Sequence, residues 1–354
     1  MMERRKSKRV KIGNTYIGGN ERIAIQSMTN TDSSDFDATY NQIKRLESVG
    51  CDIVRMTVPD MEAVKTVHRL KNSDINIPIV ADIHFDYKMA IESANAGADK
   101  IRINPGNIGD ESRVKAVVDV CFEKNIPIRI GVNSGSLEKN ILAKYGRPSG
   151  EALAESALYH ASLLEKFDFN NIILAVKSSR VADMIKANRL LAENTEYPLH
   201  LGVTEAGTVH KGVIKSAVGI GSLLLDGIGD TMRVSLTADP IEEIREGKAI
   251  LSSIGLSEDN GINIISCPTC GRTKIDLIGI ANEFEKRAAD IKLDKKIDVA
   301  IMGCVVNGPG EAKECDIGIA GGIGEAVLFK KGEIIRKIDE NRIIDELIEE
   351  IKRM

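Results

Sequence analysis

Between Ile23 and about Ser253, short β-branched runs recur and are each followed by a stretch with helical periodicity; this alternation constrains the fold more than any other feature. The strand candidates are Ile23–Met28, Ile53–Val58, Ile77–Ile83, Lys100–Asn104, Ile126–Asn133, Ile172–Lys177, Leu199–Thr204 and Thr231–Leu236. Helical patterns follow them, among them Ala38–Val49, Met61–Leu70, Tyr87–Ala96, Glu111–Glu123, Glu151–Phe167 and Ile241–Ser253. Gly50, Gly97 and Asn125 stand where helices should stop. Strands joined through helices run parallel, and eight of them in roughly 230 residues match an α/β (β/α)8 TIM barrel. A doubly wound open sheet is the alternative that shares this pattern.

After Ser253 the rhythm changes. The polar stretch Leu256-Ser257-Glu258-Asp259-Asn260-Gly261 reads as a linker. A chain of 354 residues exceeds what one core usually serves. The expected division is a barrel over 1–256 and a small α+β domain over 257–354. The latter should comprise a short strand from Ile262, a helix Asp276–Asp290, strands Ile297–Met302, Ile317–Ala320, Ala326–Phe329 and Glu333–Ile338, and a helix Glu340–Lys352. The glycine-rich run Gly318–Gly324 reads as a set of turns.

A net charge of -4, 4% aromatic residues and no tryptophan leave neither a basic field nor a stacking platform for nucleic acid. The basic opening, Arg4 to Arg9, is followed by a polar stretch rather than the apolar run of a signal peptide. No apolar segment approaches the roughly 20 residues that span a bilayer. A cytoplasmic protein with a small-molecule partner, no membrane and no nucleic acid is expected.

A barrel places active groups at the C-terminal ends of its strands. Because side chains alternate faces, Arg102 and Asn104 share a face, as do Arg129, Gly131 and Asn133. The same parity joins Asp82 with His84, His200 with Gly202 and Thr204, and Thr231 with Arg233 and Ser235, while Arg55 and Lys177 close their own strands. Barrel interiors are normally Val, Ile or Leu, and an unpaired buried charge costs several kcal/mol. Arg55, Arg102, Arg129, Lys177 and Arg233 converging on one mouth therefore point to a phosphorylated or diphosphorylated ligand. The competing reading is a structural ion network with Asp82, Glu205 and Asp230. No P-loop pattern is present.

Six cysteines are too few for a disulfide scaffold in a chain of this length. Cys51 and Cys121 sit in apolar patterns and read as core. Cys267 and Cys270 form a C-x2-C pair in Ser266-Cys267-Pro268-Thr269-Cys270-Gly271-Arg272, and Cys304 follows a predicted strand. Zinc sites usually supply a second close pair, which is missing here. Three cysteines with an exchangeable fourth position suit a catalytic iron-sulfur cluster. Spacing leaves both metals open, and a zinc-stabilised non-redox lyase or transferase acting on a phosphorylated substrate is the alternative. Cys315 reads as structural, and His84 and His200 as either proton relays or barrel-lining polar groups.

The cysteine loop, Gly303-Cys304-Val305-Val306-Asn307-Gly308-Pro309-Gly310-Glu311, Val203-Thr204-Glu205-Ala206-Gly207 and Gly227–Leu236 together resemble the IspG/GcpE family of 4-hydroxy-3-methylbut-2-en-1-yl diphosphate synthases, in its bacterial two-domain form. The resemblance spans nearly the whole chain. It implies an oxidoreductase of the methylerythritol phosphate (non-mevalonate) route to isoprenoids and terpenoids, which reductively opens and dehydrates 2-C-methyl-D-erythritol 2,4-cyclodiphosphate. It further implies one 4Fe-4S cluster per chain on Cys267, Cys270, Cys304 and Glu311, fed by flavodoxin or ferredoxin. Arg55, Arg102, Arg129, Asn133, Lys177, Thr231, Arg233 and Ser235 would hold the diphosphate, and Glu205 and Glu311 would be catalytic. A homodimer is implied as well.

Overall fold

Alternating apolar and polar positions near the start form a small antiparallel hairpin, β1 (Val10–Ile12) and β2 (Thr15–Ile17), turning at Gly13 with φ 57°. The computed structural model describes residues 3–257, 260–288, 291, 293–305 and 313–354. They fall into two compact units, Met1–Ser257 and Glu258–Met354.

In the first unit the β-branched runs become parallel strands: β3 (Ala24–Met28), β4 (Ile53–Thr57), β5 (Ile79–Asp82), β6 (Lys100–Ile103), β7 (Ile128–Asn133), β8 (Ile172–Lys177), β9 (His200–Leu201) and β10 (Thr231–Met232). Neighbours in sequence pair in space, β10 pairs with β3, and a parallel bridge from Leu174 to Leu199 joins β8 to β9. The sheet thus closes into an eight-stranded barrel, as the βα alternation predicts, and the open doubly wound sheet is excluded. β9 and β10 are shorter than expected. Beyond them the chain leaves the ladder: a Cβ on Gly202 would lie only 2.9 Å from the Arg233 carbonyl oxygen and 3.1 Å from Lys177 Nζ.

The helices are α1 (Phe36–Ser48), α2 (Met61–Lys71), α3 (Tyr87–Asn95), the short α4 (Pro105–Ile108), α5 (Glu111–Glu123), α6 (Lys139–Tyr145), α7 (Gly150–Glu165), α8 (Val181–Asn194), α9 (Val209–Leu225) and α10 (Pro240–Ser253). Asp35, Asp60, Asp86, Asp110, Ser149 and Asp239 each accept a backbone N–H at a helix start, which ends the preceding mouth loop in a fixed direction. Strand residues of one parity, such as Ile128, Ile130 and Val132, are fully buried in the core between sheet and helices.

The other parity faces the barrel axis, where the two ends differ. At the N-terminal end, Ala24, Ile53, Val80 and Ile173 pack with Val10, Ile12 and Ile17 of the hairpin, which therefore floors the barrel. The basic opening is absorbed nearby. Arg4 reaches the Glu21 and Gly229 carbonyls, Arg5 those of Thr195 and Tyr197, and both lie within 4 Å of Asp230.

In the second unit, β11 (Ile262–Ser266), β12 (Ile297–Met302) and β13 (Ile317–Gly321) are parallel, and β14 (Glu325–Lys330) and β15 (Glu333–Asp339) continue antiparallel. α11 (Leu277–Ala288) and α12 (Ile343–Lys352) contribute Leu277, Phe284, Leu347 and Ile351 to a core with Val299, Ile301, Ile319 and Leu328. The expected helix Asp276–Asp290 extends into residues 289 and 290, which lie outside the described residues. The glycine-rich run is a strand as much as a turn: Gly318 lies inside β13, where a Cβ would meet Ala300 and Phe329 atoms at 2.6 Å.

Candidate anion site and cysteine loops

The barrel interior changes character from floor to mouth. One layer above the apolar floor lie Gln26, Lys100, Arg129, His200 and Thr231, each at most 1% exposed. Gln26 Oε1 accepts from Lys100 Nζ at 3.4 Å and Arg129 Nη1 at 3.2 Å, so two cations share one neutral acceptor. Above them a cavity of about 170 Å³ opens at the C-terminal ends of the strands. It is lined by Met28, Arg55, Asp82, His84, Arg102, Arg129, Gly131, Asn133, Ala175, Lys177, Thr204, Arg233 and Ser235.

Seven of the eight residues expected to hold a diphosphate line this one cavity. Thr231 does not. It starts β10 level with Ala24 and His200, two positions below Arg233, and its hydroxyl contacts His200 Nδ1. Thr204, on the same face of the chain as His200, takes a lining position instead. Glu205 follows it on the exposed side of the loop, in a left-handed conformation with φ 50°. Nor is Asp230 at the mouth, since it accepts from the Leu199 N–H at 2.8 Å and Ser7 Oγ at 2.7 Å beside the N-terminal arm.

The charges at the mouth do not balance. Asp82 serves Arg102 at 2.8 Å and Arg55 at 3.6 Å. Glu243, from the first turn of α10, binds Arg233 through Nε at 3.0 Å and Nη2 at 2.9 Å, and also accepts from Ser27 Oγ at 2.7 Å and the Leu236 N–H at 3.2 Å. Arg129 and Lys177 form no ion pair within 4 Å among the described residues, and Arg129 feels Asp82 only at longer range. Five cationic side chains therefore meet two carboxylates at this mouth.

Protonation responds accordingly. Burial, then repulsion from Arg55, Arg233, Arg129 and Arg102, lowers the Lys177 ammonium far below its ordinary value. Burial outweighs the attraction of Asp82 and brings Arg55 down to about 10. Burial pushes the Asp82 carboxyl upward, but Arg55, Arg102 and Arg129 together hold it well below the usual carboxylate range. Burial and the surrounding cations lower the His200 pKa far below the usual imidazole value, which favours its neutral form. His84 is half exposed, 3.9 Å from Asp82. This excess of positive charge suits a dianionic or more highly charged ligand.

Sequence parity identified the cations but missed Glu243, which looks like an ordinary acidic residue in a helical first turn. Asn104 was grouped with Arg102. Its Nδ2 donates to Ser136 Oγ at 2.9 Å, and that hydroxyl donates to the Asn133 carbonyl at 3.1 Å, joining the loops after β6 and β7.

In the second unit Cys267 follows β11 and Cys304 lies two residues beyond β12, at the same end of adjacent parallel strands. The Gly303 N–H donates to Cys267 Sγ at 3.3 Å, and the Lys274 N–H reaches the Gly303 carbonyl at 3.0 Å, tying the two loops together. Cys270 is exposed at the turn, its N–H on Thr273 Oγ1 at 3.2 Å. Glu311 lies outside the described residues. Among the described residues no three His, Cys, Asp or Glu side chains are grouped closely enough to enclose a metal.

Cys315 is buried at one end of a small cluster that runs through Ala300 and Phe329 to Met302 and Ala320, and burial raises its pKa. The β12–β13 register aligns it with Ile297, seven positions from Cys304 and roughly 20 Å away at the rise of a strand.

Residues 7–248 match the GcpE TIM-barrel domain, and residues 263–353 match the GcpE protein C-terminal domain. The chain is 58% identical over 351 residues to the 4-hydroxy-3-methylbut-2-en-1-yl diphosphate synthase (flavodoxin) of Clostridium perfringens, covering 99% of each. It is 59% identical over 345 residues to the protein of that name from Caldicellulosiruptor saccharolyticus, covering 98% of each. Among solved structures, the type I 3-dehydroquinate dehydratase of Clostridium difficile superposes with a TM-score of 0.51 at 14% identity, covering 70% of this chain and 99% of that one. That likeness concerns the barrel fold alone.

Proposed function

The chain belongs to the GcpE family of 4-hydroxy-3-methylbut-2-en-1-yl diphosphate synthases, and from that premise we propose how its residues divide the work. The reaction is the two-electron reductive opening of 2-C-methyl-D-erythritol 2,4-cyclodiphosphate, with loss of water, to 4-hydroxy-3-methylbut-2-enyl diphosphate. The observation that carries the assignment is the cavity with five cations against two carboxylates.

Arg129 and Lys177 have the most charge to offer the cyclic diphosphate, with Arg55 and Arg102 shared between it and Asp82. Asn133, Thr204 and Ser235 supply uncharged polar contacts, and Arg233 is held in place by Glu243. Neutralising the diphosphate stabilises the phosphate oxygen released when the ring opens. Thr231, outside the lining, holds His200 in the layer beneath the cavity. Glu205, on the loop after Thr204, is assigned the proton transfer that accompanies loss of water.

The thiols of Cys267, Cys270 and Cys304 are the soft donors that iron-sulfur centres use, and the Gly303 N–H to Cys267 sulfur bond is of the type that tunes them. We assign these three residues and Glu311 to one 4Fe-4S cluster. Bound there, it would supply low-potential electrons one at a time, drawn from flavodoxin as the relatives' name states, or from ferredoxin. We further propose a cytoplasmic homodimer. No helix among the described residues is long and apolar enough to cross a membrane.

An anaerobic preparation tests this reading through visible absorption, iron and sulfide analysis, and turnover of the cyclic diphosphate with a low-potential reductant. Iron, sulfide and turnover are expected together. A colourless protein carrying stoichiometric zinc would return the zinc-stabilised alternative.

A further inference from the structure

Met28 ends β3 and lines the cavity between two of its arginines. Its sulfur lies 2.9 Å from Arg55 Nη2 and 3.2 Å from Arg55 Nε, and on its other side 3.5 Å from Arg233 Nη1. A thioether is a weak acceptor with no charge. Two guanidinium groups in a buried cavity would ordinarily be given a carboxylate or amide, and each has one: Glu243, outside the lining, holds Arg233, and Asp82, on the lining, stands 3.6 Å from Arg55. Between the two arginines, the partner they share is sulfur.

We infer that Met28 is a positioning residue whose weak acceptor keeps Arg55 and Arg233 apart and aimed into the cavity without competing with the incoming diphosphate. A strong acceptor at the same place would order the two guanidinium groups equally well but occupy the donors the ligand needs, since carboxylate and amide oxygens accept far more strongly than a thioether sulfur. An aliphatic side chain of the same length would leave the donors free but unguided. Methionine lies between these extremes, and its flexible chain tolerates the movement of both arginines on binding. This inference rests on the assignment of the cavity to the diphosphate.

The test uses the holoenzyme with the cyclic diphosphate and compares Met28→Leu, Met28→Gln and Met28→Glu, with Lys177→Met as reference. Met28→Leu should raise KM by only about two- to fivefold, Met28→Gln by about tenfold and Met28→Glu by about a hundredfold or more, following acceptor strength, with kcat changed far less than KM. Thermal melts identify any variant that fails to fold, and Gln and Leu, close to Met in volume, then carry the comparison. KM unchanged in Met28→Gln would overturn the inference, as would Met28→Leu being impaired as much as Met28→Gln, which would make volume the cause. If Lys177→Met also leaves KM unchanged, the assignment of the cavity itself fails. A raised KM in Lys177→Met with a flat Met28 series removes only the role of Met28.

Discussion

Lys177 shows how a single residue can report on the ligand. Its ammonium is lowered first by burial and then by Arg55, Arg233, Arg129 and Arg102, while Asp82 is committed to two arginines. An anion reverses both effects by favouring the charged form, so the lysine pKa rises on binding and the protein takes up protons. Calorimetric titration of the cyclic diphosphate across a pH series, in buffers of different ionisation enthalpy, should show net proton uptake once the pH exceeds the lowered Lys177 pKa, with affinity falling from there upward. Proton release would contradict this picture. The residues that set up this effect were legible from strand parity because charge at barrel-facing positions is costly and therefore conspicuous. Glu243 and Gln26 were not, because an acid in a first helical turn and an amide in a strand are unremarkable until their partners are known. Parity groups Thr231 with Arg233 and Ser235 but does not show that it lies outside the cavity lining, since parity gives the face and not the height.

At the scale of elements, the eightfold alternation was readable because each strand is apolar on both sides of its polar mouth. The floor was not. β1 and β2 are three residues each, interrupted by Gly13 and flanked by charge, so Val10, Ile12 and Ile17 give no periodic signal. Their weight comes from packing on Ala24, Ile53, Val80 and Ile173. Ile12 is fully buried there, and Ile12→Ala should cost about 2–5 kcal/mol of stability, measurable by denaturant titration, while leaving KM near its original value because the site lies at the other end of the strands. The cysteine loops were legible as chemistry, from C-x2-C and a third cysteine after a strand. The bonds Gly303 and Lys274 make between them depend on which strands become neighbours, which spacing cannot give.

At the scale of the molecule, the barrel unit has its own core, separate from that of the cysteine unit. Its anion cavity draws all its lining from residues before 257. A fragment of residues 1–257 should therefore fold cooperatively and still bind inorganic pyrophosphate. At a hundredfold excess over Kd the anion should stabilise it by about 2.7 kcal/mol, or roughly 5–10 °C in Tm for a chain of this size. A fragment that melts without an anion effect would mean that the cavity depends on the second unit. The hairpin has one more consequence for the molecule. It makes the barrel a cup rather than a pipe, with a single doorway, so whatever enters must leave by the same way. Product still in the cup bars the next substrate, and inhibition by the linear diphosphate product should accordingly be competitive with the cyclic one in steady-state kinetics.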